Sequence, residues 1–424
     1  MAIVTVFISL LVIPVSLLAW SYLSLNHNKV IAEKVGFPIL VKWISPVNPF
    51  WMIMGSTIVK ACRKLNFGTA NFHRMYLFGW EGNERSRIHE ELGNIFMMVT
   101  PGGNWLCVGD AAVINEVIRR PKEFRRNMEQ MAVLNVYGKN LSTTDDEEWQ
   151  KHRKVTSITF TEKNNELVWR ESITQSKAML RYWKEHQPVT TITTDTKVFT
   201  LNVLAAAIFN KNYPFEGVKS TPSSQDDSYQ YRNSLSTILS SIVQIFVFGE
   251  NDLKAWWTPN SWKDAAVAID IFRSYILGLI NEEREYVSRD IEHNQHLSLA
   301  AVHTHPQYWG DEGLTWKPER FITSTKAGIE NEVLAPDTSA HFLPWAHGQR
   351  ICPGKKFSQV ELVAALVMLF RDHVVAPQRQ RNESMEDARS RLFKTGMEIN
   401  HEGTMLFEVA EPQKAALIWS KRDH

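Results

Sequence analysis

The sequence has almost no net charge: 47 basic side chains stand against 46 acidic ones, a formal balance of +1. A chain without a field of one sign does not gather polyanions, so nucleic acid is not an expected partner. Cysteine is equally scarce. Cys62, Cys107 and Cys352 are an odd, widely spaced set, poor material for a disulfide framework or a CxxC metal site, and at least one thiol is left for other chemistry. No Pro/Gly/Ser-rich linker, internal repeat or low-complexity tract divides the chain. A length of 424 residues admits two or three domains at about 150 residues each, but without a linker one large domain over residues 27–424 is the expectation. The composition, 44% hydrophobic and 22% charged, is that of a globular protein rather than a disordered one.

Charge is missing altogether from the first 28 residues, MAIVTVFISLLVIPVSLLAWSYLSLNHN. About 20 apolar residues suffice to cross a bilayer as a helix, so residues 1–26 read as a single-pass membrane anchor. The rival is a cleaved signal peptide, which wants a positive start, a shorter apolar run and a small-residue cleavage site. Here the positive charges, Lys29, Lys34 and Lys42, follow the run, and charge so placed keeps the body of the protein on the cytoplasmic face. A second apolar stretch, residues 36–55, is interrupted by Lys42, Pro46 and Pro49. It reads as a hydrophobic surface segment beside the membrane rather than a second span.

Residues 94–108 hold two β-type runs around Thr-Pro-Gly-Gly, which predicts a hairpin. Asp110 then looks like a helix N-cap, with Val113, Ile114, Val117 and Ile118 at helical spacing. The acidic cluster Asp145, Asp146, Glu147 and Glu148 favours a second helix start, on a helix that carries Trp149 and Arg153. Amphipathic segments follow from about Glu166 to Ser288, broken by a polar loop at 221–227. After the aromatic segment 303–321 and a polar loop comes a cysteine segment, then the apolar helix FSQVELVAALVMLF, then a tail with strand-like runs such as 405–410. Helices dominate, so the fold class is mainly α with small peripheral β-sheets.

The strongest signal is Trp345-x-x-Gly348-x-Arg350-x-Cys352-x-Gly354, directly before that apolar helix. A thiolate metal ligand needs help to ionise, and a following helix N-terminus supplies partial positive charge and backbone N–H groups. Gly348 and Gly354 remove side chains where the backbone passes close under a flat macrocycle, Arg350 offers a cation to a propionate, and Trp345 can lie against the ring. The competing reading is a buried structural thiol, since free cysteine is among the most buried residue types.

This motif resembles the cysteine loop of the cytochromes P-450, the heme-thiolate monooxygenases, and three further features stand in that family's order. Pro318-Glu319-Arg320-Phe321 lies upstream like the family's PERF element; Trp149-x-x-x-Arg153 resembles its propionate-binding helix, both side chains falling on one face at i, i+4; and the hydrophobic anchor comes first. Singly, Trp149 and Arg153 would read as a surface aromatic and a solvated charge. Together with HTHPQYWG at 303–310 the motifs look most like fungal members. The resemblance implies a cytochrome P-450 fold. It also implies heme b with Cys352 as axial ligand, Trp149, Arg153 and Arg350 near the propionates, and electrons from NADPH through a cytochrome reductase. The implied substrate is an apolar small molecule of secondary-metabolite biosynthesis. The implied location is the endoplasmic reticulum membrane, with the catalytic domain facing the cytosol. Cys62 and Cys107 are then structural.

The resemblance has a gap. A family member carries a central helix with an acid and an alcohol, roughly AGxxT, and Ala327–Asn331 is a decoy for it, in the wrong place and ending in asparagine. No distal catalytic residue is therefore identified. The family also needs Glu-x-x-Arg on a helix before PERF; Glu84 with Arg87, Glu116 with Arg119, Glu123 with Arg126 and Glu386 with Arg389 have the spacing, but none stands in the required stretch. The chain reads as internally truncated near 297–301, by something on the order of a hundred residues. Arg320 would then lack its carboxylate, and a buried ion left without its partner costs roughly 3–5 kcal/mol out of a stability of about 5–15 kcal/mol. Weak heme retention and poor hydroxylation are the expectation. The alternatives to a working monooxygenase are an inactive remnant or mis-spliced product, and a peroxygenase driven by hydrogen peroxide.

Overall fold

The computed structural model describes residues 2–125, 128–217, 227–280, 296–297, 299–323, 332–334, 341–400 and 408–422. The decoy at 327–331 lies outside them, as do Arg126 and parts of the polar loop at 221–227 and of the run at 405–410. The chain divides into two compact units, residues 1–127 with 292–351 and residues 128–291 with 352–424. Helices make up most of the structure and the sheets are small, as the sequence predicts.

The first unit is organised on a four-stranded sheet in chain order. Ile95–Thr100 and Gly103–Val108 form the expected hairpin, antiparallel, with Met97 opposite Leu106. The Thr100 hydroxyl bonds the Gly103 carbonyl across the turn at 2.9 Å, and Gly103 has a φ of +130°, which a side chain would strain. Ile39–Val41 pairs parallel to one side of the hairpin and His296–Leu297 to the other, beside Cys107 and Val108. His296–Leu297 thus places the neighbourhood of the suspected truncation on a sheet edge. Asp110 caps the helix Ala111–Arg119 as expected, accepting from the Val113 amide at 3.0 Å. Ile114 of that helix packs with Val302 and Leu343.

The N-terminal helix runs Ala2–Glu33. Its second half docks on the sheet: Leu25 and Ala32 are buried with Met97 and Val99, and Asn28 donates to the Thr100 carbonyl at 2.8 Å. Before that, seven large apolar side chains from Val12 to Leu23 are exposed. Among the described residues the one helix that is long and apolar enough to cross a membrane is nevertheless Ile192–Phe209, whose Phe199 and Val203 belong to the core of the second unit. The stretch 36–55 lies largely at the surface, with Phe37, Trp43, Val47, Phe50 and Met54 exposed. Its first part is a sheet strand, and Lys42 at the strand end is 3% exposed. The Lys42 ammonium donates to the Met75 carbonyl at 2.5 Å and sits 5.1 and 5.0 Å from the Tyr76 and Trp80 rings. Desolvation lowers its pKa to about 8.

The second unit is a helical assembly. Asp145 caps the helix Asp146–Ser157, whose first turn carries Asp146, Glu147 and Glu148 against the positive end of the dipole. Glu162–Glu185 packs against both Ile192–Phe209 and Lys355–Phe370. Trp183 anchors this core: its ring stacks on Trp419 at 5.2 Å and its indole N–H donates to Asp195 at 2.8 Å. A two-stranded sheet, His373–Pro377 with Leu417–Lys421, closes one side.

Candidate functional site

Cys352 stands in the turn just ahead of the helix Lys355–Phe370, and its thiol is exposed. The turn is tied to the helix by the Lys355 amide, which donates to the Cys352 carbonyl at 3.3 Å, and by the Ser358 amide, which donates to Gly354 at 2.9 Å. The first turn of the helix holds no acidic residue and two lysines, Lys355 and Lys356. The positive end of a helix dipole therefore follows the sulfur, with no acidic side chain in the first turn to offset it. Cys107, by contrast, is buried in the sheet, where desolvation pushes its thiol up to about 12.

Gly354 decides what fits beside the sulfur. A Cβ there would lie 3.3 Å from the Phe160 ring and 3.8 Å from the Cys352 sulfur. The absent side chain leaves room for a flat group bound on Cys352, so the residues present fit a heme. Phe160 packs edge-on against buried Phe357 at 6.0 Å, pinning the cysteine turn to the core of the second unit. Trp149 and Arg153 occupy the helix Asp146–Ser157 of the same unit, both half-buried. Phe160 follows that helix by three residues, and through it the end of the helix approaches the cysteine turn.

The other half of the motif belongs to the first unit. Trp345 and Arg350 are half-buried there. Gly348 has a φ of +69°, and a Cβ on it would meet the Ile118 side chain at 3.0 Å, so this glycine has a local reason in its contact with the helix Ala111–Arg119. The preceding Ala346 adopts a φ of +58° without that freedom.

Two residues, one at the cysteine turn and one further along its helix, carry weight that the motif does not show. No local signal marks Phe160, whose role comes from contacts distant in sequence. Glu361 was readable as the lone acid in FSQVELVAALVMLF: it is buried, one carboxylate oxygen has no hydrogen-bond partner among the described residues, and desolvation raises its pKa to about 7. Arg320 corrects an expectation. It is half-buried, donates to the carbonyls of Glu312 (2.9 Å), Lys317 (3.1 Å) and Thr315 (3.2 Å), and lies 5.4 Å from the Trp309 ring. Backbone oxygens do the work of the missing carboxylate, so the penalty of an unpartnered buried ion does not arise. Glu84, one of the candidate partners by spacing, is paired with Arg74.

The cytochrome P-450 family model matches residues 81–298 and 294–400, two stretches that meet at 294–298. A cytochrome P-450 monooxygenase of Arthrobotrys oligospora is 25% identical over 337 residues, 77% of this chain and 55% of the relative. One of Penicillium roqueforti is 27% identical over 231 residues, 53% of this chain and 39% of the relative. A cytochrome P-450 monooxygenase of the phomenoic acid biosynthesis cluster of Leptosphaeria maculans is 33% identical over 107 residues, 22% of this chain and 18% of the relative. The chain spans about half the length, or less, of the first of these curated relatives. Matched over most of its length and built of helices around small sheets, the chain belongs to the cytochrome P-450 family.

Proposed function

We propose that the protein is a heme-thiolate monooxygenase acting on an apolar small molecule, with Cys352 as the axial ligand of heme b. The observation that carries this reading is the exposed Cys352 thiol before a helix with no acid in its first turn, beside a glycine that leaves space at the sulfur. Heme, when bound, supplies the redox iron at which dioxygen is activated. The chain's part is to hold and tune it. Cys352 would hold the iron through its sulfur, a ligand that donates electron density to it, with the helix N-terminus behind the sulfur, and Gly348 and Gly354 keep side chains away. Arg153 and Arg350 offer guanidinium groups to the propionates, with Trp149 beside them and Trp345 against the ring.

Electrons come from NADPH through a membrane-bound reductase in this reading. The substrate class is that of fungal secondary metabolism, by analogy with the relative whose name places it in the phomenoic acid cluster. The exposed apolar residues from Val12 to Leu23 support residues 1–26 as a single-pass anchor in the endoplasmic reticulum membrane, the body facing the cytosol.

A second reading, a catalytically impaired remnant, is favoured by one feature. The helix Lys355–Phe370 exposes Leu362, Val363, Leu366, Val367 and Phe370, a contiguous apolar face of the kind proteins normally cover. The two family-matched stretches meet at 294–298, where the sequence lacks a central helical block. The two readings separate on turnover. Purified protein is incubated with reductase, NADPH, isotopically labelled dioxygen and a terpenoid mixture; label in the products supports the monooxygenase. No label with NADPH and none with peroxide supports the remnant, and product with peroxide alone indicates a peroxygenase. Genomic DNA read at the codons near Leu299 shows whether an intact exon for the central block lies there.

A further inference from the structure

The helices Ile192–Phe209 and Asp227–Ser240, with Glu408, border an open cavity of about 320 Å³ that no part of the heme reading uses. Its volume is at the lower end of the range for ligand sites, roughly 300–1,000 Å³, which suits a compact molecule. Leu201 and Leu239 give it apolar walls, and Thr200 and Ser236 also line it. Thr196 and Ser240 also border it, but their hydroxyls are spent on their own helices, on the Ile192 carbonyl at 2.8 Å and the Thr237 carbonyl at 3.0 Å. The strong polar feature is the ion pair Lys197–Glu408, at 2.6 Å, with both side chains partly open to solvent. Glu408 is fixed from behind: its carbonyl accepts from the Asn400 amide at 2.8 Å, and Val409 bridges Ile399.

A mainly apolar cavity whose charged groups are one ammonium and one carboxylate, already paired, selects its ligand by charge. A carboxylate would face Glu408 and an amine would face Lys197, so either would have to break the pair. A hydroxyl is at once acceptor and donor. It accepts from the Lys197 ammonium and donates to the Glu408 carboxylate while the pair stays together, and a compact hydrocarbon body lies against Leu201 and Leu239. We infer that this cavity is a binding site for a small alicyclic alcohol, of the size of a monoterpene alcohol.

The test uses the purified full-length chain, titrated calorimetrically with menthol and with menthane, the same skeleton without the hydroxyl. Menthol binds saturably and at least about tenfold more tightly than menthane, the factor expected from a hydrogen bond to a charged group. Lys197→Met removes that advantage and leaves menthane binding unchanged. Leu201→Trp fills the cavity and abolishes binding of both; should that variant fail to fold, Thr200→Leu, checked by circular dichroism, gives the same reading with less bulk. Cys352→Ser leaves menthol binding intact. Three results overturn the assignment: no saturable binding of menthol, equal affinity for menthol and menthane regardless of Lys197, or loss of binding in Cys352→Ser, which would put the ligand at the cysteine.

Discussion

Two thiols in one chain show how environment, not residue type, divides labour. Cys107 sits in a strand, 2% exposed, in a cluster with Phe96, Met98 and Trp80. Burial raises its pKa to about 12, outweighing the charge of Lys42 and a hydrogen bond with the Met98 backbone, which favour the ionised form. Cys352 is open to solvent at the head of a helix, with a glycine in place of any side chain that would crowd it. Inertness at one site and availability at the other follow from backbone position alone.

The comparison breaks most sharply under alkylation. A rise from 9.0 to about 12 lowers the thiolate fraction of Cys107 about a thousandfold, before its burial is counted. Iodoacetamide on native heme-free protein, followed by peptide mass spectrometry, is expected to label Cys352 and to reach Cys107 only on unfolding. Equal labelling would remove the distinction.

Next in size is the carboxyl on the cysteine helix. The folded-state pKa of Glu361, about 7, lies above its ordinary 4.5, because burial disfavours the charged form. Its stabilising share is complete below pH 4.5 and is lost as pH rises through 7, an effect of about 3 kcal/mol. Thermal unfolding of the wild type is expected to show that decline between pH 5 and pH 8. Glu361→Gln should flatten it, and an unchanged pH slope in the variant would show that Glu361 is hydrated.

Gly354→Leu sharpens the contrast from the other side. The new side chain presses on Phe160 and crowds the sulfur, with an overpacking cost of roughly 1–3 kcal/mol in denaturant unfolding and a loss of bound heme larger than the stability change explains. The smallest effect belongs to Cys107→Val, a near volume-conserving swap in a packed sheet expected to cost less than about 1.5 kcal/mol and to leave heme content untouched.

What the sequence made legible was local or tied to a motif. The hairpin at 95–108 and the helix starts after Asp110 and Asp145 depend on turn residues and caps within a few positions of one another. The cysteine motif is likewise contiguous. The features that escaped depend on partners distant in sequence. Lys42 reads as a break in an apolar run, yet it is buried because the Met75 carbonyl and the Tyr76 and Trp80 rings surround its ammonium. Arg320 reads as a cation bereft of its carboxylate, yet three backbone carbonyls and a tryptophan ring receive it. Phe160 gains its place only when the helix Lys355–Phe370 brings Gly354 and Phe357 against it. The motif itself crosses a structural boundary: Trp345, Gly348 and Arg350 belong to one unit and Cys352 and Gly354 to the other.

The most direct measurement is the reduced, carbon monoxide-bound absorption spectrum of protein expressed with ample heme supply, beside Cys352→Ser. Coordination by Cys352 predicts a thiolate-type Soret band in the wild type, however low the heme occupancy, and its disappearance in the variant. A thiolate-type band that survives the serine substitution would contradict the assignment of sulfur at residue 352 as the iron ligand.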